Sequence, residues 1–545
     1  MFDYEYVSLT PEQVEARRKL LDHAGWQAYL APTILLAALA SYNSVISSKR
    51  LLSNRNEEPP AVTLLTRRIS WILDTTYIPE FGPVRVQLLG FIYTAYLLFQ
   101  IFNKTGNDYM HVTKAFGHVA VSQLPMHYVL STKSSYSPII KVTGLTHERM
   151  NAYHRLYGRI IHSLLATHAV LYLRFFAKMN LLSKRIKDWD VRLGIMAFWV
   201  INFLGLLAIP PIRAKVYHKV FYRSHIILSA LLLVVLWFHV PYSRIYVWRA
   251  AWAWVVNGVL RKGASQSAKV RCEMVGNDLV RVEAVMQGKH LYSYVPGCHV
   301  YLNQSGLGPR TPFTVVSAKA LKQGETEVEL VAKNTHGPMT AALAVAAHDN
   351  STITLDLEGP YGEAQVYMPD LMHEIRRKGG RFLLIAGGVG ATYTLPIYKA
   401  LLDAGADSKN VRLIWVVRKG EDVKWAASFM VTRKNVSPIV VHITRPEGVD
   451  VQVLKEDKSP RSCRPNFDVY VDDLFNERLS PSSKNGNELV KDPTKADQRL
   501  HDTVTVMVCG PRGLTSAART AVGKHVWDYG RDVRWYEEQF GFGGS

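Results

Sequence analysis

The sequence has little cysteine: only four occur among its 545 residues. They are Cys272, Cys298, Cys463 and Cys509, and their positions match no metal-ligand spacing. None lies among the long apolar runs of the chain. This scarcity excludes a disulfide scaffold and indicates a reducing compartment, the cytosol, for the region that carries them.

Acidic residues are also scarce, with 45 Asp and Glu against 65 Lys and Arg, for a formal net charge of +20. Such an excess raises the question of nucleic-acid binding. The basic residues are scattered, however, and many flank apolar segments, as in Ser47-Ser-Lys-Arg-Leu and Ile212-Arg-Ala-Lys. In a membrane protein such residues fix orientation and contact anionic headgroups, so we expect no nucleic-acid partner. The first 20 residues are polar, so no cleavable signal peptide is expected.

Long apolar runs occupy residues 26 to about 260, whereas the sequence from about 265 onward is typical of a soluble α/β protein. A membrane-spanning helix needs about 20 apolar residues. The sequence predicts about seven spans, and the third and fourth of them carry histidines. The predicted spans are 26–46, 85–103, 112–131, 154–176, 191–210, 220–240 and 244–260.

The distribution of Lys and Arg between short loops predicts orientation. Segments 47–85, 132–153 and 211–219 and the stretch after Arg261 are basic and share one side, which places the C-terminal half in the cytosol. Segment 174–192 is also basic but falls on the outer side. Either the span count differs, or this outer surface attracts anionic metal chelates.

Four histidines recur at one spacing in two predicted spans. His154 and His168 are 14 residues apart in the fourth span, and His225 and His239 are 14 apart in the sixth. Fourteen residues are close to four helical turns, so each pair lies on one helix face, about 21 Å apart along the axis. Two spans of the same direction bring His154 opposite His225 and His168 opposite His239, and each opposed pair can supply both axial nitrogens of a haem. The alternative, that these histidines only pack helices, does not explain the repeated spacing.

Arg155, Arg159 and Arg223 lie within about a turn of the inner histidines. They are candidates for pairing with haem propionates, because guanidinium groups bind carboxylates well. Basic residues are also common at cytosolic helix ends without such a role, and both interpretations stay open. Histidines without the paired spacing are interpreted as packing or interfacial residues: His111, His118, His127, His162 and His218.

Strands and turns open the soluble half. Val280-Arg-Val-Glu-Ala-Val alternates apolar and polar residues, and Pro296-Gly-Cys-His-Val-Tyr-Leu is typical of a turn followed by a strand. Arg310-Thr-Pro-Phe-Thr-Val-Val-Ser places an aromatic residue before a hydroxyl, which suits a flavin ring. Taken alone, the same pattern also fits a buried strand that contains a proline.

Farther along, apolar strands end in residues suited to a dinucleotide. Arg381-Phe-Leu-Leu-Ile-Ala runs into Gly387-Gly-Val-Gly-Ala-Thr and then a helix, so backbone amides can approach a pyrophosphate. A second strand ends at Arg418-Lys, where a 2′-phosphate could be held, which favours NADPH over NADH. A third ends in Cys509-Gly-Pro at the same sheet edge. The polar stretch 475–500 is interpreted as a surface insertion without chemistry.

These motifs together resemble the ferric reductase and NADPH oxidase superfamily over roughly residues 85–542. The resemblance implies a membrane α-helical bundle with a bis-haem core of six helices, followed by a ferredoxin-reductase-like module. That module consists of an antiparallel β-barrel for FAD and an α/β nucleotide-binding domain. The motifs that carry it are His154-Arg-Leu-Tyr-Gly-Arg with His168, His225 with His239, Pro312-Phe-Thr, Gly359-Pro-Tyr-Gly, Gly387-Gly-Val-Gly, Cys509-Gly-Pro and Phe540-Gly-Phe.

The resemblance also implies cofactors and residue roles. Electrons pass from NADPH to FAD, to two b-type haems held by the four paired histidines, and to an acceptor on the far side. Phe542 is implied to cover the flavin and yield to nicotinamide, and Cys509 is the second candidate catalytic residue. The family usually has a histidine before Pro312, where this chain has Thr311. Besides the three arginines, the candidate cofactor-binding residues are His299, Arg310, Pro312, Phe313, Thr314, Thr340, Gly387, Gly388, Gly390, Thr392, Arg418, Cys509, Gly510 and Phe542.

The expected domain order follows from these assignments. Residues 1–25 form an N-terminal tail, 26–262 the haem-binding membrane domain, 263–372 the FAD barrel and 373–542 the NADPH domain. The closing Gly543-Gly-Ser resembles an appended linker.

Arg310 precedes the position where the family usually has a histidine. It is expected to reach the flavin pyrophosphate in place of that histidine.

The branch within the superfamily rests on finer features. Equal histidine spacing, the extra N-terminal span, Ser122-Gln-Leu-Pro and Gly144-Leu-Thr-His-Glu-Arg are similar to fungal metalloreductases. The predicted function is NADPH-dependent reduction of a ferric chelate, with cupric ion as a second substrate, across a membrane that we expect to be the plasma membrane. One alternative is an oxidase that reduces O2 to superoxide. Another is a non-redox transporter or scaffold with a degenerate reductase tail. An iron-uptake partner and a homo-oligomer both stay open.

Overall fold

The computed structural model describes most of the chain, in ranges given at the end of this paragraph. Within them, the chain divides into two compact units. The first, the helical unit, contains helix α1 (Pro11–Leu52) and residues 73–264. The second, the sheet unit, contains most of helix α2 (Ala61–Leu73) and residues 265–540. The described ranges are 4–52, 61–134, 137–216, 220–276, 278–287, 294–304, 310–321, 324–378, 380–430, 439–445, 464–476 and 503–538.

The helical unit is built from the first twelve helices, apart from most of α2. They are α1 (Pro11–Leu52), α2 (Ala61–Leu73), α3 (Val84–Phe102), α4 (Tyr109–Ser122), α5 (Leu124–Leu130), α6 (Pro138–Thr143), α7 (His147–Lys178), α8 (Leu182–Arg185), α9 (Trp189–Ala208), α10 (Pro210–Val216), α11 (Tyr222–His239) and α12 (Arg244–Gly263). Among the described residues, α3, α7, α9 and α11 are long and apolar enough to cross a membrane. The predicted count of seven spans is therefore not reached by length and composition, and it stays a prediction.

Two predicted boundaries in this unit differ from the structure. The predicted span 112–131 is divided, because α4 ends at Ser122 and α5 begins at Leu124 with Pro125 in its first turn. A proline fits the first turn of a helix but breaks an uninterrupted one. The expected tail 1–25 is also wrong for residues 11–25, which belong to α1. Thr10 caps that helix: its hydroxyl accepts from the Gln13 amide at 3.3 Å, and its own amide donates to the Gln13 side chain at 2.9 Å.

The sheet unit opens with a closed antiparallel barrel in the order β1-β2-β5-β4-β3-β6. Alternate residues of β2 are buried, so one face of this strand packs into the barrel core. The predicted FAD barrel is confirmed as a six-stranded fold. The strands are β1 (Ser265–Met274), β2 (Leu279–Gln287), β3 (His299–Asn303), β4 (Thr311–Ala320), β5 (Glu325–Lys333) and β6 (Thr352–Tyr361), with α13 (Pro338–His348) before β6.

A five-stranded parallel sheet follows, in the order β11-β10-β7-β8-β9. Its central strands β7 and β10 are mostly apolar and buried on both faces, as expected of a parallel sheet covered by helices. The elements are α14 (Ala364–Lys378), β7 (Arg381–Gly387), α15 (Ala391–Asp403), β8 (Val411–Val417), α16 (Ala427–Met430), β9 (Val440–Ile443), α17 (Phe467–Asn476), β10 (Val504–Cys509), α18 (Arg512–Asp528) and β11 (Val533–Glu538).

The border between barrel and sheet lies earlier than residue 372. Tyr367, Met368 and Leu371 of α14 pack into the core formed by β7 and β8, so this helix belongs to the nucleotide-binding domain. Residues 477–500 of the predicted insertion, together with Cys463 and Phe542, lie outside the described residues.

Candidate functional site

The four paired histidines lie on α7 and α11 in the arrangement that their spacing predicts. The ring centres of His154 and His225 are 6.4 Å apart, with the ring planes at 72°. This separation leaves room for one metal ion, given metal–imidazole bonds of about 2 Å on each side. His168 on α7 and His239 on α11 form the second candidate pair.

Backbone carbonyls bind one ring nitrogen of three of these histidines. Nδ1 of His168 lies 2.7 Å from the Thr113 carbonyl, Nδ1 of His239 lies 2.8 Å from that of Asp190, and Nδ1 of His154 lies 3.3 Å from that of His127. A carbonyl only accepts hydrogen bonds, so each Nδ1 carries the proton and Nε2 keeps its lone pair. Metal-binding histidines are commonly held in this way.

Glycines lie against the rings of the second pair, His168 and His239. A Cβ on Gly117 would come within 2.6 Å of the His168 ring, and one on Gly194 within 2.8 Å of the His239 ring. Real Cβ atoms do not approach a ring so closely, so any side chain at these positions would displace an imidazole. Helices α4 and α9 therefore hold these two rings in place through bare backbone.

His127 is a residue that the sequence analysis assigned only to packing. Its ring stacks on that of His154, with centres 4.2 Å apart and planes 6° from parallel. Among the described residues, its Nδ1 has no hydrogen-bond partner. No spacing rule points to it, because it lies on α5 and reaches His154 only through the packing of α5 against α7.

Two of the three candidate propionate-binding arginines share one carboxylate. Arg159 donates to Glu80 at 2.7 Å, and Arg155 lies 3.8 Å from the same side chain. Arg213, which the sequence analysis did not select, also binds Glu80, at 3.0 Å. The third candidate, Arg223, is exposed on α11. These arginines form a cationic cluster around one acid, and their pairing with propionates stays a prediction.

The residues present fit two bis-histidine haems. Each opposed pair offers two Nε2 lone pairs, and the carbonyls supply the outer hydrogen bonds that such ligands need. Within the described part of the chain, no cluster of three or more His, Cys, Asp or Glu side chains could hold a metal ion. A haem iron needs only two protein ligands, so the pairs suit it better than a structural metal.

On the barrel, His299 and Thr314 pair across β3 and β4, and both are buried. Nδ1 of His299 lies 3.6 Å from Oε1 of Glu538, the last residue of β11. This contact joins the barrel to the end of the parallel sheet. The two candidate residues are thus brought together beside a carboxylate that sequence reasoning did not find.

Arg310 forms an ion pair with Glu358, which also accepts a hydrogen bond of 3.0 Å from the hydroxyl of Tyr361. Glu358 is buried, so the guanidinium neutralises a charge that would otherwise be costly. Binding of a pyrophosphate by Arg310 stays a prediction.

Three other flavin candidates have structural surroundings of their own. The ring of Phe313 packs in the barrel core, while Pro312 is half-buried. Thr340 is in the first turn of α13, where its hydroxyl donates to the Gly337 carbonyl at 3.2 Å and accepts from the Thr335 amide at 3.3 Å. A helix N-terminus of this kind suits a phosphate, and a flavin contact of Phe313 stays a prediction.

The glycine loop lies between β7 and α15, as its sequence predicts. Gly388 has a φ of +55°, a conformation that favours glycine. A Cβ on Gly390 would collide with the carbonyl of Cys509, so the loop and the end of β10 approach each other through bare backbone. Trp415 donates from its indole to the Gly388 carbonyl at 2.8 Å, and Thr392 to that of Val389 at 2.9 Å. The loop is therefore fixed in position at the carboxyl edge of the sheet.

Cys509 ends β10 beside this loop, and Gly510 packs against Gly387 at the same edge. The Cys509 side chain is buried, and burial together with the charges of Glu538 and Glu537 raises the pKa of its thiol well above the usual range. The thiol is therefore protonated near neutral pH, which suits a group that packs against a ring better than a nucleophile.

Arg418 follows β8 and is exposed at the carboxyl edge. Its carbonyl accepts a hydrogen bond of 3.0 Å from the amide of Arg445, which follows β9 and is also exposed. Two arginines therefore stand at adjacent strand ends, where an adenosine 2′-phosphate is held in folds of this type. Arg445 was missed because β9, the strand that positions it, is only four residues long and was not identified from the sequence.

Two family models match the chain. Residues 116–236 match the ferric reductase like transmembrane component, and residues 381–523 match the ferric reductase NAD binding domain. These segments contain the four paired histidines and the glycine loop.

Among curated proteins, the chain is similar to fungal reductases. A probable cell surface ferric reductase of Aspergillus oryzae is 25% identical over 60% of this chain and 46% of its own length. A probable metalloreductase of Scheffersomyces stipitis is 21% identical over 87% of this chain and 88% of its own length. A ferric/cupric reductase transmembrane component of Saccharomyces cerevisiae is 25% identical over 58% of this chain and 52% of its own length. The chain thus spans about half the length of the first and third of these relatives. Residues 116–236 and 381–523 thus match the transmembrane and NAD-binding models of ferric reductases, and the chain is similar to fungal metalloreductases.

Proposed function

We propose that the chain transfers electrons from cytosolic NADPH, through FAD and two b-type haems, to a ferric chelate or cupric ion on the opposite side of the plasma membrane. The observation that carries the proposal is the opposition of His154 on α7 to His225 on α11, together with the same 14-residue spacing from each of them to His168 and His239. The fungal relatives named as ferric and cupric reductases support the choice of metal substrate.

In the helical unit, the chain's own task would be to present the Nε2 atoms of the four histidines as haem ligands. The carbonyls of Thr113 and Asp190 hold the rings of His168 and His239 by their Nδ1 protons, and glycines set the distance to neighbouring helices. Bound haems would carry single electrons between the two bilayer faces, and bound FAD would accept hydride electrons in pairs and release them singly. The fixed imidazoles would keep their ligating atoms in the same positions in both oxidation states of a bound haem.

In the sheet unit, backbone amides of the glycine loop and the N-terminus of α15 would bind the nucleotide pyrophosphate. Arg418 and Arg445 would select the 2′-phosphate, which favours NADPH. Glu538, His299 and the protonated Cys509 lie near the sheet edge where the nicotinamide and flavin rings would meet. Phe542 is proposed to cover the flavin and to move aside for nicotinamide.

Two other functions share parts of this arrangement. An oxidase that reduces O2 to superoxide would use the same donor, flavin and histidine pairs. A transporter or scaffold with a degenerate reductase tail would need none of them. Backbone carbonyls fix the tautomers of His168 and His239, and the Trp415 indole fixes the glycine loop. Both features favour a working electron path over a transporter or scaffold with a degenerate tail.

The deciding experiment uses the full chain purified in detergent, with NADPH added anaerobically. The metalloreductase proposal predicts that reduced b-type absorbance bands form and then bleach when a ferric chelate is added. Bleaching only on admission of oxygen would establish the oxidase instead. Complete lack of haem absorbance in the purified chain would overturn the electron path itself.

A further inference from the structure

Helix α2 is bound to the sheet unit through Trp71. The guanidinium of Arg519 lies 4.2 Å above the Trp71 ring and 5.2 Å from that of Trp535, and it donates to the Trp71 carbonyl at 3.1 Å. The two tryptophan rings meet edge to face at 5.7 Å. Gly523 of α18 leaves the space, since a Cβ there would lie 3.0 Å from the Trp71 indole nitrogen.

Two arginines extend this attachment along the helix. Arg67 donates to the Gly530 carbonyl at 3.2 Å and lies 3.5 Å from the Asp532 carboxylate. Arg68 donates to the Trp527 carbonyl at 2.5 Å. One side of α2 is therefore matched to α18 and to the turn that precedes β11.

A different side of α2 is apolar and exposed. Leu65, Ile69 and Ile72 are 58%, 45% and 38% exposed. Their spacing of four and three residues places them on one stripe of the helix. A helix that exposes such a stripe next to basic residues is suited to lie in the interface of a bilayer.

The end of α2 lies close to the start of a candidate membrane span. The carbonyl of Thr75 accepts a hydrogen bond of 3.0 Å from the amide of Val84, the first residue of the candidate span α3. Leu73, the last residue of α2, is two residues from Thr75, which limits its distance from Thr75 to about 7 Å. If α3 crosses a membrane, the end of α2 is at the surface of that membrane.

We propose that α2 is an interfacial helix whose Leu65, Ile69 and Ile72 stripe inserts into the bilayer surface, while its Trp71 side carries the sheet unit. The occupant of the stripe is lipid, because the helix is tied to a membrane span at one end and presents side chains of acyl-chain character. The attachment restrains the neighbourhood of β11, the strand that ends at Glu538. This inference is independent of the proposed electron acceptor.

The test places a nitroxide label on α2 of the full chain in nanodiscs of phosphatidylcholine and phosphatidylserine. One variant is Ile69→Cys, and its matched control is Ser70→Cys, an exposed position one residue along and away from the stripe. Cys272, Cys298 and Cys509 are buried, and labelling of the unsubstituted chain gives the background. Power saturation measures collision of each label with oxygen, which concentrates in lipid, and with a water-soluble nickel chelate.

The proposal predicts that the label at position 69 collides at least several-fold more with oxygen relative to nickel than the label at position 70. Equal and high nickel collision at both positions would show a water-exposed stripe and overturn it. Protection of position 69 from both reagents would show a protein contact, which would also overturn the assignment to lipid.

Discussion

Single side chains set the properties of the proposed haem site at His168 and His239. His239 has its Nδ1 held by the Asp190 carbonyl and its ring pressed against Gly194. His162 lies on α7 between the two ligands of that helix, but its Nε2 is 3.2 Å from the Asn202 side chain, so it has a polar partner of its own. The two histidines therefore differ in what their lone pairs can bind.

The first prediction compares these two residues. His239→Leu removes one axial nitrogen, and we expect the haem content of the purified chain to fall from about two to about one per chain. His162→Gln should keep both haems, because glutamine can still bond to Asn202. Pyridine haemochrome spectra with protein quantification measure the ratio, and an unchanged ratio in the leucine variant would contradict the assignment.

Cys509 supplies the second prediction. Burial and two nearby carboxylates raise its pKa, so the folded protein should keep this thiol protonated and unreactive to iodoacetamide at pH 8. In the unfolded chain the thiol has a pKa near 8.5, so above this pH it loses its proton in the unfolded state but keeps it in the folded state. Deprotonation therefore stabilises the unfolded state, and the free energy of unfolding falls as the pH rises above about 8.5. Peptide mapping after alkylation of folded and unfolded protein reads this directly. Rapid labelling of folded Cys509 would refute the burial argument.

Elements meet through their backbones at the nucleotide edge. Gly390→Ala would drive a Cβ into the Cys509 carbonyl, and because both partners are backbone, strand and loop must separate. We expect a loss of about 1–3 kcal/mol in stability and weaker NADPH binding by tenfold or more. Calorimetry and nucleotide titration measure the two effects.

Gly513 offers the matched control for this change. It lies in α18 near the same edge, with nothing within 4 Å of an added Cβ. Gly513→Ala should leave NADPH binding unchanged and stabilise by about 0.5–1 kcal/mol, since alanine loses less entropy in a helix. Equal NADPH affinity in the two variants would show that close approach at residue 390 is not needed.

The attachment of α2 is also a matter of elements. Arg519→Ala removes a cation lying over two indole rings, an interaction of about 0.5–2 kcal/mol, together with one hydrogen bond. Amides of α2 should then exchange with deuterium roughly tenfold faster. Lys524→Ala, on the same helix but paired with Asp468 at an exposed position, should leave α2 unchanged. Equal exchange in both variants would mean that Arg519 does not hold the helix.

Particular elements show how far the sequence could be interpreted. The position of His154 beside His225 and the approach of the glycine loop to the end of β10 could be expected from the sequence, because each depends on regular geometry within one element or one sheet edge; the cofactors that these residues bind stay predictions. Pro125 also indicated the break between α4 and α5 at Gln123. The predicted span 112–131 did not include this break because the surrounding apolar run is continuous. The stacking of His127, the Glu80 cluster and the docking of α2 were not predictable, since each joins side chains far apart in the chain.

At the scale of the whole molecule, the basic segment 174–192 bears on the choice of substrate, because the sequence predicts that it lies on the outer side of the membrane. Arg185 is paired with Asp188 and Asp190, whereas Lys184 and Lys187 flank it in the same short segment. If the segment attracts anionic chelates, Lys184→Gln with Lys187→Gln should raise KM several-fold for a ferric chelate of negative charge. The same double substitution should leave the KM for cupric ion unchanged or lower it. The difference in KM between the variant and the unsubstituted chain should vanish at high salt, which screens the charges. Steady-state reduction at two salt concentrations measures this, and identical kinetics would sink the idea.

The equal spacing of histidines on two rigid helices has a consequence for how the chain can change length. One residue inserted between His154 and His168 would turn the second ring by about 100° and move it about 1.5 Å along α7, away from its partner on α11. An insertion of the same size between His225 and His239 would restore the match in height but not in direction, because both rings would turn in the same sense away from the facing sides of the helices. Changes of length should therefore be tolerated only when both intervals change together by about a whole helical turn.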